Sequence, residues 1–195
     1  MSQTNKPIAV ILGATSKWQS DGRNTLLSHG NEIDDSDMSV HARWGVGGAI
    51  ALKFAKQGFR VVLTTRFKKN AEPLLHAVEA DGGEGIIVEL DLAKVDSITQ
   101  AFSDIRAQYG DPEVLIYNAG YLEGRDLPAD QELLEYISLD MFETANQIAS
   151  RGPFMVAKEV LPAMREAGRG SFLITNNASS LRGRKRLTGQ SLYYP

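Results

Sequence analysis

Five short apolar runs, separated by stretches of helical periodicity, constrain this chain more than any other feature. The runs are residues 8–12, 59–65, 85–91, 114–118 and 171–175. Between them, residues 47–57, 70–80, 95–109 and 149–166 repeat apolar side chains at helical spacing. Ile50, Phe54 and Ala55 share one face of the first, and Leu74, Leu75 and Val78 one face of the second. Ile98, Ala101, Phe102 and Ile105 form a stripe on the third. Gly58 and Asp81-Gly-Gly83 stand where helices are expected to end. Strand–helix–strand units of this kind cross over right-handed into a parallel sheet. Strands that are apolar throughout, rather than alternating, suit a sheet covered on both faces. The expected fold is α/β, a doubly wound parallel sheet of Rossmann type in three α/β/α layers with at least five parallel strands. A chain of 195 residues fits one such domain, 1–195.

In sheets of this class a ligand sits at the carboxyl ends of the strands, beside the point where strand order reverses. The first strand runs into Gly13-Ala-Thr-Ser16, half of a glycine-rich turn. The matching half, Gly45-Val-Gly47-Gly48, comes only after residues 17–44. Joined, the halves make a strand–turn–helix in which backbone N–H groups and a helix N-terminus can face a pyrophosphate. The inserted loop 17–44 is polar and includes Glu32-Ile-Asp-Asp-Ser-Asp37. Its ends must meet at one tight turn, so it is expected to pass over the pyrophosphate site and to be ordered by the ligand. His29, Glu32, Asp34, Asp35, Asp37 and His41 match no metal-ligand spacing, and no metal site is expected. His76 lies in an amphipathic helix and reads as structural.

Composition narrows the partners. A net charge of −3 gives no general attraction to nucleic acid. The short basic run Arg182, Arg184, Lys185, Arg186 reads as a solvated loop, with an anionic substrate as the functional alternative. The chain has no cysteine, which excludes disulfides and thiolate chemistry and fits a cytoplasmic location. No apolar run approaches the roughly 20 residues that span a bilayer. Residues 1–7 have no apolar stretch of signal-peptide type.

Taken in order, these landmarks resemble the short-chain dehydrogenase/reductase family. They are the split turn Gly13…Gly45-Val-Gly47, Asp91-Leu92 after the third strand and Asn118-Ala-Gly120 after the fourth. Gly152-Pro-Phe154 and Leu161-Pro-Ala-Met164 in the long helix follow, then Ser179-Ser180 and Tyr193. The resemblance implies that Gly13, Thr15, Ser16, Gly45, Val46 and Gly47 line the pyrophosphate and ribose of a nicotinamide dinucleotide. It implies that Asp91 and Leu92 meet the adenine, and that Asn118, Ala119 and Gly120 pack beside the nicotinamide ribose. It further implies a homo-oligomer paired through the long helix.

The choice of dinucleotide has a physical basis. A carboxylate at the end of the second strand would bind the 2′-hydroxyl of NAD and repel the 2′-phosphate of NADP. Here that strand ends Thr64-Thr65-Arg66, with Lys68 and Lys69 behind. The guanidinium of Arg66 suits a phosphate, so NADP(H) is expected over NAD(H).

Hydride transfer to a carbonyl builds negative charge on oxygen, which a tyrosine hydroxyl can protonate and a serine hydroxyl can hold. Ser180 and Tyr193 have the spacing of that pair in the family. Asn177 and Tyr194 are their rivals. The expected activity is NADP(H)-dependent oxidoreduction of a small carbonyl or alcohol. Enoyl or acyl-carrier reduction is one branch of the family that tolerates departures around the pair. The alternative is a catalytically inactive relative, or a fragment, acting as a binding or scaffold protein. Three departures motivate it. No lysine follows Tyr193 before Pro195, Ala149 stands where the family carries an asparagine, and the last two strands with their substrate segment are missing. Asn146, one turn before Ala149, offers an amide in its place.

Overall fold

The computed structural model describes residues 6–15, 44–121 and 134–176. Five strands form one parallel sheet: β1 (Ile8–Leu12), β2 (Arg60–Thr65), β3 (Glu84–Glu89), β4 (Val114–Tyr117) and β5 (Ser171–Ile174), in the order β3-β2-β1-β4-β5. The helices are α1 (Gly45–Lys56), α2 (Glu72–Ala80), α3 (Val95–Tyr109), α4 (Leu139–Asn146) and α5 (Gly152–Glu166). This is the expected doubly wound α/β arrangement.

Side chains of a strand alternate between faces, and here both faces are covered. Ala9 and Ile11 of β1 pack with Val61 and Leu63 of β2 against Ala51, Leu52 and Ala55 of α1 and Leu74 and Val78 of α2. Val10 and Leu12 point the other way. With Val62 and Leu115 they meet Ile98, Phe102 and Ile105 of α3 and Val156, Val160 and Met164 of α5. Every residue of β1 is buried, which explains why that strand has no polar alternate positions. Each large aliphatic or aromatic side chain so covered is worth about 1.5–3 kcal/mol relative to exposure.

The α3 stripe is buried as its periodicity predicts. In α1 and α2 the inward set differs by a residue or two. Ala51, Leu52 and Ala55 are the buried side chains of α1, with Ile50 and Phe54 only partly covered, and Leu75 of α2 is likewise partial. Gly58 closes α1 in a left-handed conformation at φ 87°, its N–H donating to the Ala55 carbonyl at 3.0 Å. Its lack of a Cβ is what permits that φ.

The long helix expected over 149–166 is built differently. It is α4, then a π-helical turn Gln147–Arg151, then α5. Ser138 caps α4, its hydroxyl accepting from the Met141 N–H at 3.1 Å. The π-helical turn puts a wider ring between the two α-helices, so one 3.6-residue apolar phase does not run through both. β5 also departs from its neighbours. Its apolar residues Leu173 and Ile174 are 52% and 54% exposed, because β5 is the last strand of the described sheet.

Candidate functional site

The strand order places the reversal between β1 and β4, which run side by side in register Leu12↔Tyr117. From β1 the chain winds outward to β2 and β3, and from β4 to β5. The loops leaving β1 and β4 therefore flank a crevice at the carboxyl edge of the sheet.

Gly13 leaves β1 at φ 75°, and Gly45 opens α1 at φ 66°, both in the left-handed region that favours glycine. A Cβ on Gly13 would lie 2.6 Å from Ala119 Cα. A Cβ on Gly47 would lie 2.2 Å from the Gly13 carbonyl oxygen and 2.8 Å from Asn118 Nδ2. The two halves of the split turn therefore meet in space, as the sequence requires, and they meet on the β4 loop. Asn118 locks the junction. Its Nδ2 donates to the Gly13 carbonyl at 3.0 Å, and its Oδ1 accepts from the Thr175 hydroxyl at 3.0 Å. Thr175, which the sequence reading passed over, lies just past β5, where its N–H donates to the Tyr117 carbonyl at 2.9 Å.

Among the described residues the N-terminus of α1 has no side-chain cap, and its first turn holds no acidic residue. The first-turn N–H groups and the positive end of the helix dipole suit an anion. Thr15 Oγ1 is buried with no hydrogen-bond partner among the described residues. Such a group costs about 1–3 kcal/mol unless something satisfies it. A buried hydroxyl and a helix end without side-chain partners among the described residues, beside glycines packed too closely for a Cβ, fit a dinucleotide pyrophosphate. Val46 is 62% exposed and offers an apolar wall beside them.

The second strand ends on the same edge. Thr64 is buried and donates its hydroxyl to the Ile11 carbonyl at 3.1 Å. Arg66, Lys68 and Lys69 are exposed, and among the described residues their side chains have no ion-pair partner. The neighbouring carboxylate, Glu89, accepts the Lys68 backbone N–H at 3.2 Å.

After β3, Asp91 shapes its own loop. Its Oδ1 accepts from the Ala93 N–H at 3.1 Å, and its Oδ2 lies 3.4 Å from Lys94 Nζ. The Leu92 side chain is buried in the core. Ala119 is partly buried, and Gly120 is exposed with open space around it. The structure thus gathers Gly13, Gly47, Asn118 and Ala119 in direct contact, while Arg66, Asp91 and Leu92 border the same edge on neighbouring strands.

Ser16, Ser180, Tyr193 and residues 17–43 of the inserted loop lie outside the described residues. Asn146 lies at the end of α4, where its Nδ2 donates to the Phe142 carbonyl of its own helix at 3.0 Å. Ala149 sits within the π-helical turn. Tyr117 is buried, and its hydroxyl donates to the Ile148 carbonyl at 2.5 Å. Burial raises the Tyr117 pKa well above its ordinary value, so the hydroxyl remains a donor. An open groove of about 820 Å³ lies between α5 and β5, lined by Phe154, Lys158, Leu161, Arg165 and Phe172. None of its lining residues belongs to the crevice. No helix among the described residues is long and apolar enough to cross a membrane.

Comparison with known proteins agrees with this architecture. A family model described as enoyl-(acyl carrier protein) reductase matches residues 40–194. The oxidoreductase YxbG of Bacillus subtilis is 33% identical over 147 residues, 73% of this chain and 49% of that protein. The 3-oxoacyl-acyl-carrier-protein reductase FabG of Staphylococcus epidermidis is 26% identical over 164 residues, 83% of this chain and 62% of that protein. The chain spans between about half and three-fifths of the length of these curated relatives. Among solved structures, a metagenomic short-chain oxidoreductase in complex with NADP superposes with a TM-score of 0.69 at 22% identity. The superposition covers 95% of this chain and 68% of that one. An actinorhodin polyketide ketoreductase with NADPH gives 0.72 at 22% identity, covering 99% and 60%. These likenesses show the fold. The match over residues 40–194, which takes in both the α1 half of the glycine turn and the Asn118 loop, establishes that the chain belongs to the short-chain dehydrogenase/reductase family.

Proposed function

We propose that this domain serves an NADP(H)-dependent oxidoreductase that moves a hydride between nicotinamide and a carbonyl or alcohol substrate. The observation that carries the reading is the contact of Gly13, Gly47 and Asn118 beside the buried Thr15 hydroxyl, which has no partner among the described residues. When bound, the dinucleotide would supply or accept the hydride. The chain's own residues hold it. Gly13, Thr15, Ser16, Gly45, Val46 and Gly47 would take the pyrophosphate side, with Thr15 donating its hydroxyl proton to a phosphate oxygen. Asn118, Ala119 and Gly120 would flank the nicotinamide ribose, and Asp91 and Leu92 the adenine.

The preference for NADP(H) rests on Arg66. Its exposed guanidinium lies past β2 at the same sheet edge, with Lys68 and Lys69 beside it. The solved relatives named above were captured with NADP and NADPH. In this reading Tyr193 moves the proton to or from the substrate oxygen, and Ser180 holds that oxygen. The description of the matching family and the name of the FabG relative make acyl-carrier thioesters the first substrates to try. Homo-oligomerisation belongs to the same proposal and is supported by Phe154 and Leu161 of α5, which are 63% and 45% exposed.

Calorimetric titration of the chain with NADPH and NADH tests the reading separately from turnover. The expected result is binding of NADPH with weaker binding of NADH. Absence of heat with either coenzyme rejects it.

A further inference from the structure

π-helical turns inside helices are rare and cluster at functional sites. The turn Gln147–Arg151 is tied at both ends to the two loops that border the crevice. At one end, Tyr117 reaches in from β4, and its hydroxyl donates to the Ile148 carbonyl at 2.5 Å. Gly152 makes room for that hydroxyl, since a Cβ there would lie 2.3 Å from it. The residue after Tyr117 is Asn118, which holds Gly13. Ile148 also packs on Tyr121 and Ala145, and on Ala119's side of the core. At the other end, Arg151 Nη2 donates to the Ala93 carbonyl at 2.5 Å, in the loop between β3 and α3. That loop otherwise closes on itself, through Asp91 Oδ1 to the Ala93 N–H and the Asp91 N–H to Ser97 Oγ at 2.9 Å.

We propose that this π-helical turn is a spacer. Tyr117 and Arg151 are positioning residues that fasten the β4 loop and the β3 loop to one short piece of backbone, and so set the distance between the two ends of the dinucleotide site. A widened turn suits the task, because it aims a carbonyl sideways at Tyr117 that a regular helix would bond to its own N–H. The inference rests on the dinucleotide reading above and adds to it which residues hold the halves of the site in register.

The test uses the full chain with three ligands: NADPH, adenosine 2′,5′-bisphosphate as its adenine half, and reduced nicotinamide mononucleotide as the other. Loss of a spacer weakens the joined molecule more than its parts. In Arg151→Ala and in Tyr117→Phe, NADPH binding is expected to fall about tenfold, while each half changes by less than about twofold. Arg151→Lys, which keeps a donor, should recover most of the loss. Arg151 is exposed, so its variants are expected to keep the parent's melting temperature. Unchanged NADPH affinity in both variants, or a half-molecule weakened in step with the whole, overturns the proposal. Should the parent bind no NADPH, the dinucleotide reading fails, and amide hydrogen exchange then decides the spacer alone. Arg151→Ala must speed exchange in residues 118–120, which Arg151 does not touch, as well as in 91–94. Faster exchange confined to 91–94 overturns it.

Discussion

The side-chain amide of Asn118 donates to the backbone carbonyl of Gly13 at 3.0 Å, across 105 residues of chain. The bond spans the place where β1 and β4 part and the winding of the sheet reverses. It joins the loop that offers backbone donors to the loop that flanks the opposite end of the crevice. A third partner, Thr175, holds the acceptor end of the same amide at 3.0 Å.

Replacing Asn118 by Ala leaves the Gly13 carbonyl and the Thr175 hydroxyl without that partner. The expected cost is about 1–3 kcal/mol of stability. NADPH affinity should fall about tenfold as the turn loosens. Urea unfolding and calorimetry measure the two effects, and Asn118→Asp, which keeps only the acceptor for Thr175, should recover part of the first and little of the second.

Gly47→Ala is the sharper steric test. Its Cβ would stand 2.2 Å from the Gly13 oxygen and 3.1 Å from Ala14 Cα, both backbone atoms that cannot swing aside. Overpacking of this kind costs about 1–3 kcal/mol. NADPH binding should vanish while the far-ultraviolet circular dichroism of the chain persists. Retained binding would mean that the turn does not form the cradle.

Arg66→Ala should weaken NADPH binding about tenfold or more and leave NADH nearly unchanged, since a charged hydrogen bond to phosphate is worth about 1.5–3 kcal/mol. Arg66→Asp should go further and favour NADH, because a carboxylate there accepts from a 2′-hydroxyl and repels a 2′-phosphate. Paired titrations give the ratio directly, and an unchanged ratio in both variants removes Arg66 from cofactor choice.

Away from the site, Glu84 gives a pH signature. Burial pushes its carboxyl up, but the hydrogen bonds and charges of Arg60 and Lys6 outweigh burial and hold it below the ordinary value of 4.5. A depressed carboxylate adds stability above its unfolded pKa and loses it as pH falls through the folded value. The carboxylate is 38% exposed, so solvent screening keeps the gain within about 1 kcal/mol. Acid titration of Glu84→Gln against the parent should show a small deficit near neutrality that closes as both are acidified. A deficit that widens on acidification would contradict the assignment.

Much of this was legible in the residues. The alternation of uniformly apolar strands with 3.6-periodic helices dictates a sheet covered on both faces, and the cores on either side of β1 and β2 follow from it. The stripe Ile98, Ala101, Phe102, Ile105 needed no structure to find, because helical spacing alone aligns it. Gly13 and Gly47 could be joined on paper across the inserted loop, since only residues without a Cβ can pack that closely at a strand–helix turn.

Other features depend on parts of the chain that meet only after folding. Thr175 is an ordinary β-branched residue until β5 pairs with β4 and sets its hydroxyl against Asn118. Tyr117 reads as one more strand residue, and its partner is a carbonyl that becomes available only because the helix widens at Ile148. Arg151 finds Ala93 across 58 residues, a pairing that no local periodicity encodes. By itself, then, the sequence determined the layers, the glycine turn and the basic end of the second strand, because local spacing and steric size are written residue by residue. Tertiary structure alone decided which side chains tie the loops together, because hydrogen bonds between distant segments exist only once the sheet has set their register.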